Sequence, residues 1–254
     1  MGLATAIAKG AEVTGIVEGN APDRWKLGRT VAAAFAVAAF VLGCAALAGA
    51  STNGGTIKNV PWATVTRVGF PGTVSMGLKR LVLPADHPTL GGLVIGYNDG
   101  ECAKDLNLTD AEAWCRECHR GIEGLDGAIV TGTIFGFLAV LTSVQRRTPA
   151  QNSLGKRLFA VATMTATVAS SASEAGAFRE ACILTTPADL SVDYGVAMSL
   201  TAAKIVLLIL AVLLHAICPH DKDMLTCIGI PCAKCCGTSG SRWCPAADTQ
   251  STQI

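Results

Sequence analysis

The sequence predicts an all-α membrane bundle of four transmembrane helices with a small antiparallel β-sheet in the first extracellular loop. Half of the 254 residues are hydrophobic. Charged residues make up only 15% of the chain, whereas they form about 25% of an average soluble domain. Four long apolar segments account for this bias, and the long segment between the first two is rich in β-branched residues. The formal net charge of +1 offers no basic surface for nucleic acid, and the apolar content excludes intrinsic disorder.

Each apolar segment is about as long as a bilayer-crossing helix, which needs roughly 20 residues. The first and third segments are rich in Ala, Gly, Ser and Thr, which allow close helix approach and predict lateral association with other membrane proteins. The segments predicted as spans are 28–49, 128–145, 158–177 and 194–218. The segments predicted outside the bilayer are the N-terminal segment 1–27, the loops 50–127, 146–157 and 178–193, and the Cys-rich tail 219–254.

The charges of the loops predict their orientation. The loop between the second and third spans carries Arg146, Arg147, Lys156 and Arg157 and no acidic residue. Because cytoplasmic loops are enriched in Lys and Arg, this loop and both termini are predicted to be cytoplasmic. The first and third loops then face outwards or into a lumen. This arrangement predicts a multi-pass protein of the plasma membrane or another secretory-pathway membrane.

The long first loop is predicted to fold as a domain. Three short strands are expected at Thr64–Phe70, Thr73–Leu83 and Gly92–Tyr97, where β-branched and Leu-rich runs are bounded by Gly and Pro. A helix is expected to begin at the capping box Thr109–Glu112 and to run into the second span. Glycines around Gly124 weaken this helix just before the span.

Four cysteines fall on the predicted outer side, namely Cys102, Cys115, Cys118 and Cys182. Their number is even and their compartment is oxidising, so two disulfides are expected. The sequence leaves all three connectivities open. Asn107 begins an Asn-Leu-Thr sequon in the same loop and is predicted to carry a glycan.

The same region contains a competing motif. Cys115-Arg-Glu-Cys118-His119 matches the C-x-x-C-H pattern of c-type haem attachment. A membrane redox protein would form thioethers at the two thiols and use His119 as the iron ligand, with Met76 or His87 as the sixth ligand. Disulfides are the preferred interpretation, so no cofactor and no metal are expected.

These features together resemble a known family. Val74–Leu78 lies where the family has its Gly-Leu-Trp strand, although Lys79 stands in place of the Trp. Cysteines then precede a helix leading into the second span, and Tyr194 opens the fourth span. The chain resembles the claudin-like tetraspan superfamily, with its fungal and amastin-type relatives. The resemblance implies a structural, adhesion or membrane-organising role, with a channel or transporter subunit as an alternative.

Two charged residues fall within predicted spans. Glu174 and Lys204 lie at a similar depth in the third and fourth spans when 1.5 Å per residue is counted from their cytoplasmic ends. Charges inside a membrane are costly and usually paired, so an ion pair that sets the register of these spans is predicted. The alternative is that Glu174 is interfacial while Lys204 extends to water.

The predicted cytoplasmic tail is rich in cysteines. Juxtamembrane cysteines in the cytosol are typical sites of S-palmitoylation. Acylation is predicted at Cys218, Cys227, Cys232, Cys235 and Cys236. A zinc site is the alternative, because Cys232 and Cys235 form a C-x-x-C pair that other tail cysteines flank.

The C-terminal residues predict a cytoplasmic partner, and several common enzyme motifs are missing from the sequence. Thr252 and Ile254 fit a C-terminal peptide that a cytoplasmic PDZ domain would bind as an added strand. The sequence contains no P-loop, dinucleotide fingerprint, H-E-x-x-H motif or nucleophile elbow. The protein is therefore not expected to be an enzyme.

Overall fold

The fold comes from a computed structural model, which describes residues 21–67, 72–86, 91–97, 102, 111–147, 153–188 and 190–218 and the dipeptides 226–227 and 230–231. The elements in chain order are α1 (Ala21–Leu47), α2 (Gly54–Asn59), β1 (Ala63–Arg67), β2 (Val74–Met76), β3 (Arg80–Val82), β4 (Val94–Gly96), α3 (Ala111–Glu123), α4 (Leu125–Gln145), α5 (Leu154–Phe178), β5 (Leu190–Tyr194), α6 (Val196–Ile217), β6 (Thr226–Cys227) and β7 (Ile230–Pro231). A π-helical turn, Arg179–Ile183, continues α5.

Four long helices, α1, α4, α5 and α6, pack side by side and are called the bundle. Helix α1 contacts α4 and α6, and α5 contacts the same two helices on the other side. The link between α4 and α5 is short, which favours an antiparallel pair. The ends of the bundle near β1 and β5 are called the sheet end, and the ends near Arg146 and Cys218 are called the opposite end.

Three helical segments are long and apolar enough to cross a membrane, within the part of the chain that the structure describes. They are Lys26–Ala50, Glu112–Gln145 and Val196–Ile217. The apolar helices predicted for the first, second and fourth spans are therefore confirmed. The third predicted span lies in α5, which has 25 residues but is too rich in small and polar residues to reach the same hydropathy.

The bundle has mainly small residues inside and many large apolar residues outside. Its fully buried side chains include Ala39, Ala139 and Ala211. Phe137 and Val206, by contrast, are about half exposed, at 50% and 56%. Helices in lipid gain nothing by hiding large apolar groups from their surroundings, so small residues at the contacts are the expected pattern.

The sheet contains five antiparallel strands in the order β4-β3-β2-β1-β5. The small antiparallel sheet predicted in the first loop is confirmed, but its composition differs in two ways. The segment predicted as one strand, Thr73–Leu83, is a tight hairpin of β2 and β3, closed where the Gly77 amide donates to the Arg80 carbonyl oxygen at 2.7 Å. Strand β5 comes from the loop after α5 and was not predicted, because that loop is short and carries several polar residues.

The sheet, α2, α3 and the turn Arg179–Ile183 form one unit, called the sheet domain. Its core contains large side chains, and the rings of Trp62 and Phe178 have centroids 5.5 Å apart. The buried Tyr97 hydroxyl donates to the Gly77 carbonyl oxygen at 2.9 Å. Burial raises the pKa of the Tyr97 phenol, which keeps this side chain a hydrogen-bond donor. The predicted break before the second span is present, since α3 and α4 are separate helices that meet at Gly124.

Candidate functional site

The four cysteines of the two loops lie together and form two pairs at disulfide distance. Cys102 pairs with Cys115, and the two Cα atoms are 6.4 Å apart. Cys118 pairs with Cys182, with Cα atoms 4.5 Å apart. All four side chains are buried. The first bond lies within the long loop, whereas the second joins α3 to the turn that follows α5.

The second disulfide lies in a close contact between α3 and the turn after α5. The indole N–H of Trp114 donates to the carbonyl oxygen of Cys182 at 2.8 Å. Gly121 faces Ala181 so closely that a side chain at Gly121 would collide with the Ala181 methyl group. A bulky residue at Gly121 would therefore separate the two segments that the disulfide joins.

Strand pairing provides a second connection between the two loops. All five residues of β5 pair with β1, in a register that puts Ala63 opposite Tyr194 and Arg67 opposite Leu190. The amide of Gly195 then donates to the Trp62 carbonyl oxygen at 2.9 Å. A side chain at Gly195 would collide with the Pro61 carbonyl group, so the chain needs glycine where it passes from β5 into α6.

The residues of the C-x-x-C-H motif do not fit a c-type haem. Both thiols of the motif are bonded to other sulfur atoms, Cys115 to Cys102 and Cys118 to Cys182. Neither thiol can then form a thioether with a haem vinyl group. Both sulfur-bearing side chains also lie in the core of the sheet domain, whereas His119 is half-buried at its edge.

A groove with charged walls lies where the sheet domain meets the start of α4. It has a volume of about 400 Å³ and is lined by Lys79, Arg80, His119, Glu123 and Asp126 together with Thr52, Gly96 and Ile122. The ammonium of Lys79 forms an ion pair of 2.7 Å with Asp126. Both side chains are largely exposed, so this pair adds little stability. The groove offers charges of both signs to a partner.

Glu174 and Lys204 line one cavity between the helices of the bundle. About 20 Å³ of this cavity is open to the centre of a water molecule, which is room for one water. Thr167 and Thr201 also line it. The opposite charges act on each other electrostatically, but the Lys204 nitrogen and the Glu174 carboxylate oxygens do not come within the 4.0 Å of an ion pair. The structure thus brings the two residues of the predicted pair to one cavity without direct contact.

A polar cluster that the sequence did not predict lies at the opposite end of the bundle. Arg146 Nη1 and His215 Nδ1 are 2.5 Å apart, and both side chains are fully buried. Arginine can only donate, so Nδ1 must accept, and His215 must carry its proton on Nε2. Nε2 then donates to the Ser143 hydroxyl at 3.1 Å. Arg157 donates to the Ala216 carbonyl oxygen nearby. The sequence signal was a single His near the end of an apolar run, which identifies no partner.

The remaining predicted site residues fall mostly outside the described residues. These are the sequon residue Asn107, the tail cysteines Cys232, Cys235 and Cys236, and the terminal Thr252 and Ile254. Cys227 belongs to the short strand β6. Cys218 is buried, and its sulfur lies against Gly28, so its position does not favour acylation. Within the described residues, no group of three or more His, Cys, Asp or Glu side chains could hold a metal ion.

No model of a protein family matches the chain, and no significant relative is found among curated proteins. Its function therefore has to be inferred from the arrangement of its own residues.

Proposed function

We propose that the chain is a four-span membrane protein whose sheet domain lies outside the cytoplasm and has a structural, adhesion or membrane-organising role. The observation that carries the proposal is the pair of connections between the two loops. The Cys118–Cys182 bond joins the segment before α4 to the segment after α5. The β1–β5 pairing joins the segment after α1 to the segment before α6.

The two connections between the loops also bear on whether α5 crosses the membrane, since α5 is too polar to be recognised as a span from its hydropathy. If α4 crosses the membrane, its far end is on the other side, and α5 must cross back to bring Cys182 to Cys118. A helix of 25 residues at 1.5 Å per residue is about 37 Å long, more than the roughly 30 Å of a bilayer core. Helix α5 contacts α4 and α6, and its small residues allow the close helix packing that stabilises helices in a membrane.

The orientation follows from chemistry at the two ends of the bundle. Disulfides persist in oxidising compartments, which favours the sheet domain on the outer or lumenal side. The basic residues Arg146, Arg147, Lys156 and Arg157 lie at the opposite end, where the positive-inside rule favours the cytoplasm. Both termini are then cytoplasmic, and a plasma or secretory-pathway membrane fits the chain.

A sequon-bearing insertion tests this topology. A flexible Gly-Ser segment with one sequon is placed between Thr185 and Thr186, and in a second variant after Arg147. Four spans require a glycan on the first insertion and none on the second, with Asn107→Gln in both backgrounds to remove the native sequon. Equal modification of both insertions would mean that α5 does not cross, and would overturn the proposal.

The role of the sheet domain follows from its construction. Two disulfides and a five-stranded sheet fix both loops in one unit, and rigid surfaces bind partners at a lower entropic cost. Its charged groove, with Lys79 and Asp126, suits a partner that carries both signs of charge. Membership of the claudin-like tetraspan superfamily, which the sequence resembles, is part of the proposal.

A cell assay tests the role. Cells that display the wild-type chain are expected to cluster with one another, or the chain is expected to form lateral assemblies that chemical cross-linking detects. The double variant Cys118→Ser/Cys182→Ser should reach the surface but lose these associations. Lys79→Glu should weaken them, and Lys58→Glu, an exposed change on α2 outside the groove, should not. Association that is unchanged in the double variant would contradict a role of the sheet domain.

One observation favours a second candidate, a channel or transporter subunit. Glu174 and Lys204 place two opposite charges at a cavity between the helices, and intramembrane charges mark ion pathways in many transporters. Ion flux into proteoliposomes tests this candidate. Flux that Lys204→Met abolishes would establish it, and absence of flux in the wild type would exclude it.

The tail completes the proposal on the cytoplasmic side. Acylation of Cys227, Cys232, Cys235 and Cys236 would hold the tail against the membrane, and the end of the chain would bind a PDZ domain. Hydroxylamine-sensitive labelling should detect the acyl groups. If the tail thiols instead react with a label only after a chelator has removed zinc, the zinc site would be favoured.

A further inference from the structure

A second groove, separate from the charged one, lies on the outward face of the bundle at the sheet end of α5 and α6. Its volume is about 370 Å³, and its walls are mainly apolar. The residues that line it are Ala175, Gly176, Arg179, Tyr194, Met198, Ser199 and Ala202. An open recess in a helix face that meets lipid must be filled, because protein surfaces in contact with lipid pack without voids.

The rim of this groove carries two hydrogen-bonding groups. Arg179 Nε donates to the Tyr194 hydroxyl oxygen at 3.2 Å, and both side chains are exposed. The nearby acids Glu180 and Asp193 form no ion pair with Arg179 among the described residues. Among the described residues, neither the two terminal nitrogens of Arg179 nor the Tyr194 proton has an acceptor, so all are available as donors at the groove that both residues line.

The position of these groups indicates what fills the groove. In the proposed topology, Tyr194 precedes the fourth span, at the level where the headgroups of the outer leaflet begin. Arginine matches a phosphate group with paired hydrogen bonds, and the apolar wall below matches an acyl chain. A sterol would cover the wall but would leave the Arg179 charge without an anion.

We propose that this groove binds one glycerophospholipid of the outer leaflet. Arg179 and Tyr194 donate to the phosphate diester oxygens, and one acyl chain lies over Gly176, Ala202 and Met198. This inference rests on the proposed four-span topology, because that topology puts the rim at headgroup level.

Two variants remove the two halves of the site. Arg179→Gln removes the cation at the rim. Gly176→Leu places an apolar side chain in the groove, and its attachment is not hindered, because a Cβ atom at Gly176 meets nothing within 4 Å. Matched controls are Arg116→Gln, at an exposed arginine of α3 away from the groove, and Gly155→Leu, at an equally open glycine at the other end of α5.

The measurement is native mass spectrometry of the full chain in detergent, titrated with phosphatidylcholine and with diacylglycerol of the same acyl chains. We expect phosphatidylcholine to bind at one site and Arg179→Gln to weaken it about ten- to hundredfold, as loss of hydrogen bonds to a charged group does. Gly176→Leu should abolish binding of both lipids at that site. The two controls should bind as the wild type does, and mass mapping should show Cys118–Cys182 intact in every variant.

Three results would overturn the inference. One is phosphatidylcholine binding by Arg179→Gln or Gly176→Leu that equals the wild type. The second is equal affinity of the wild type for diacylglycerol, which would indicate an apolar occupant such as a sterol. The third is a dimer that forms in place of the lipid adduct. A micelle titration does not depend on how many helices cross a membrane, so its failure is distinguishable from failure of the glycan mapping.

Discussion

The sheet domain and the bundle are built from opposite kinds of side chains. The core of the sheet domain includes Trp62, Trp114 and Phe178, all of them buried. The core of the bundle is made largely of alanines such as Ala39 and Ala139, with buried hydroxyls beside them. The sheet domain buries its large residues, whereas the bundle presents many of its large apolar residues to the surroundings and buries few, such as Met164 and Leu208.

The difference follows from the solvent that each region meets. In water, burial of apolar area drives folding, and a sheet of short strands needs disulfides or further packing to be stable. In lipid that force is missing, so helices associate through close packing and polar contacts. We therefore expect the two regions to respond to different substitutions and to fail independently of each other.

The largest expected effect is Trp62→Ala in the sheet domain. Trp62 is fully buried against Phe178, and truncation of a buried Trp costs about 3–5 kcal/mol. Phe137→Ala is the matched change in the bundle, and it should cost little in lipid, because Phe137 is half exposed. Pulse proteolysis of the sheet domain across a urea series gives the value for Trp62→Ala, and steric trapping of the bundle in bicelles gives the value for Phe137→Ala. Equal losses would show that the bundle also relies on large side chains.

Removal of the disulfides is the next largest effect and tests whether the bundle persists by itself. A 64-residue closed loop would contribute about 4 kcal/mol by chain entropy, and a 13-residue loop about 3 kcal/mol. The 64-residue loop contains α4 and α5, which in the proposed topology stay paired in the membrane and keep its ends close. Cys118→Ser/Cys182→Ser should therefore cost no more than Cys102→Ser/Cys115→Ser, about 2–3 kcal/mol each.

The single variant Cys102→Ser tests whether the bundle stays inserted when the sheet domain has lost one of its disulfides. It should leave the four helices inserted while the sheet domain becomes sensitive to protease. Non-reducing mass mapping of the wild type should find Cys102 with Cys115 and Cys118 with Cys182. Alkylation of all four in the native, unreduced protein would contradict both bonds. A markedly larger loss for the Cys118–Cys182 bond would mean that α4 and α5 separate when the sheet domain unfolds.

Local sequence signals predicted the elements but not the pairings. β-branched runs bounded by Gly and Pro located β1 and β4, and apolar runs located all four long helices, three of which are apolar enough to cross a membrane. The hairpin in Thr73–Leu83 was missed because Gly77 reverses the chain within a run rich in Val and Leu. Strand β5 was missed because its stability comes from β1, which lies more than a hundred residues earlier in the chain. Disulfide connectivity was open for the same reason.

The polar groups of the bundle show the same limit. Depth counting brought Glu174 and Lys204 to one level, because helix geometry fixes rise per residue. It did not fix the rotation of α5 against α6, which decides whether the charges touch or share a cavity. The Arg146–His215–Ser143 cluster needs three residues from the ends of two helices to meet. No spacing in a single segment of sequence predicts such a contact.

A smaller effect is expected from enlarging the core of the bundle. Ala160 is fully buried in α5, and Ala160→Leu should cost about 1–3 kcal/mol because the helices must separate to accommodate it. Ala162→Leu, an exposed position two residues later on the same helix, should be close to neutral in lipid. Steric trapping in bicelles measures both values. If the two variants are equally stable, α5 does not pack through its small residues.

The smallest expected effect concerns Glu174 and Lys204. It distinguishes two charges that act as a pair across the cavity from a Lys204 that extends to water independently of Glu174. Each single variant, Glu174→Gln or Lys204→Met, leaves one charge in the bundle without its counter-charge. The double variant should therefore be more stable than the sum of the single losses predicts, by about 1 kcal/mol. A cycle of Glu174→Gln with Arg147→Gln, an exposed change at the opposite end, should be additive within about 0.5 kcal/mol.

The coupling measures whether the two charges act as a pair across the cavity. The side chains do not touch, but the cavity has room for one water that could bridge them, and a water-mediated contact is nearly as favourable as a direct one. A coupling no larger than in the Arg147 cycle would mean that Lys204 extends to water independently of Glu174. The polar residues of α5 would then be tolerated in the membrane without holding it in register, and the small-residue contacts alone would hold α5 against α6.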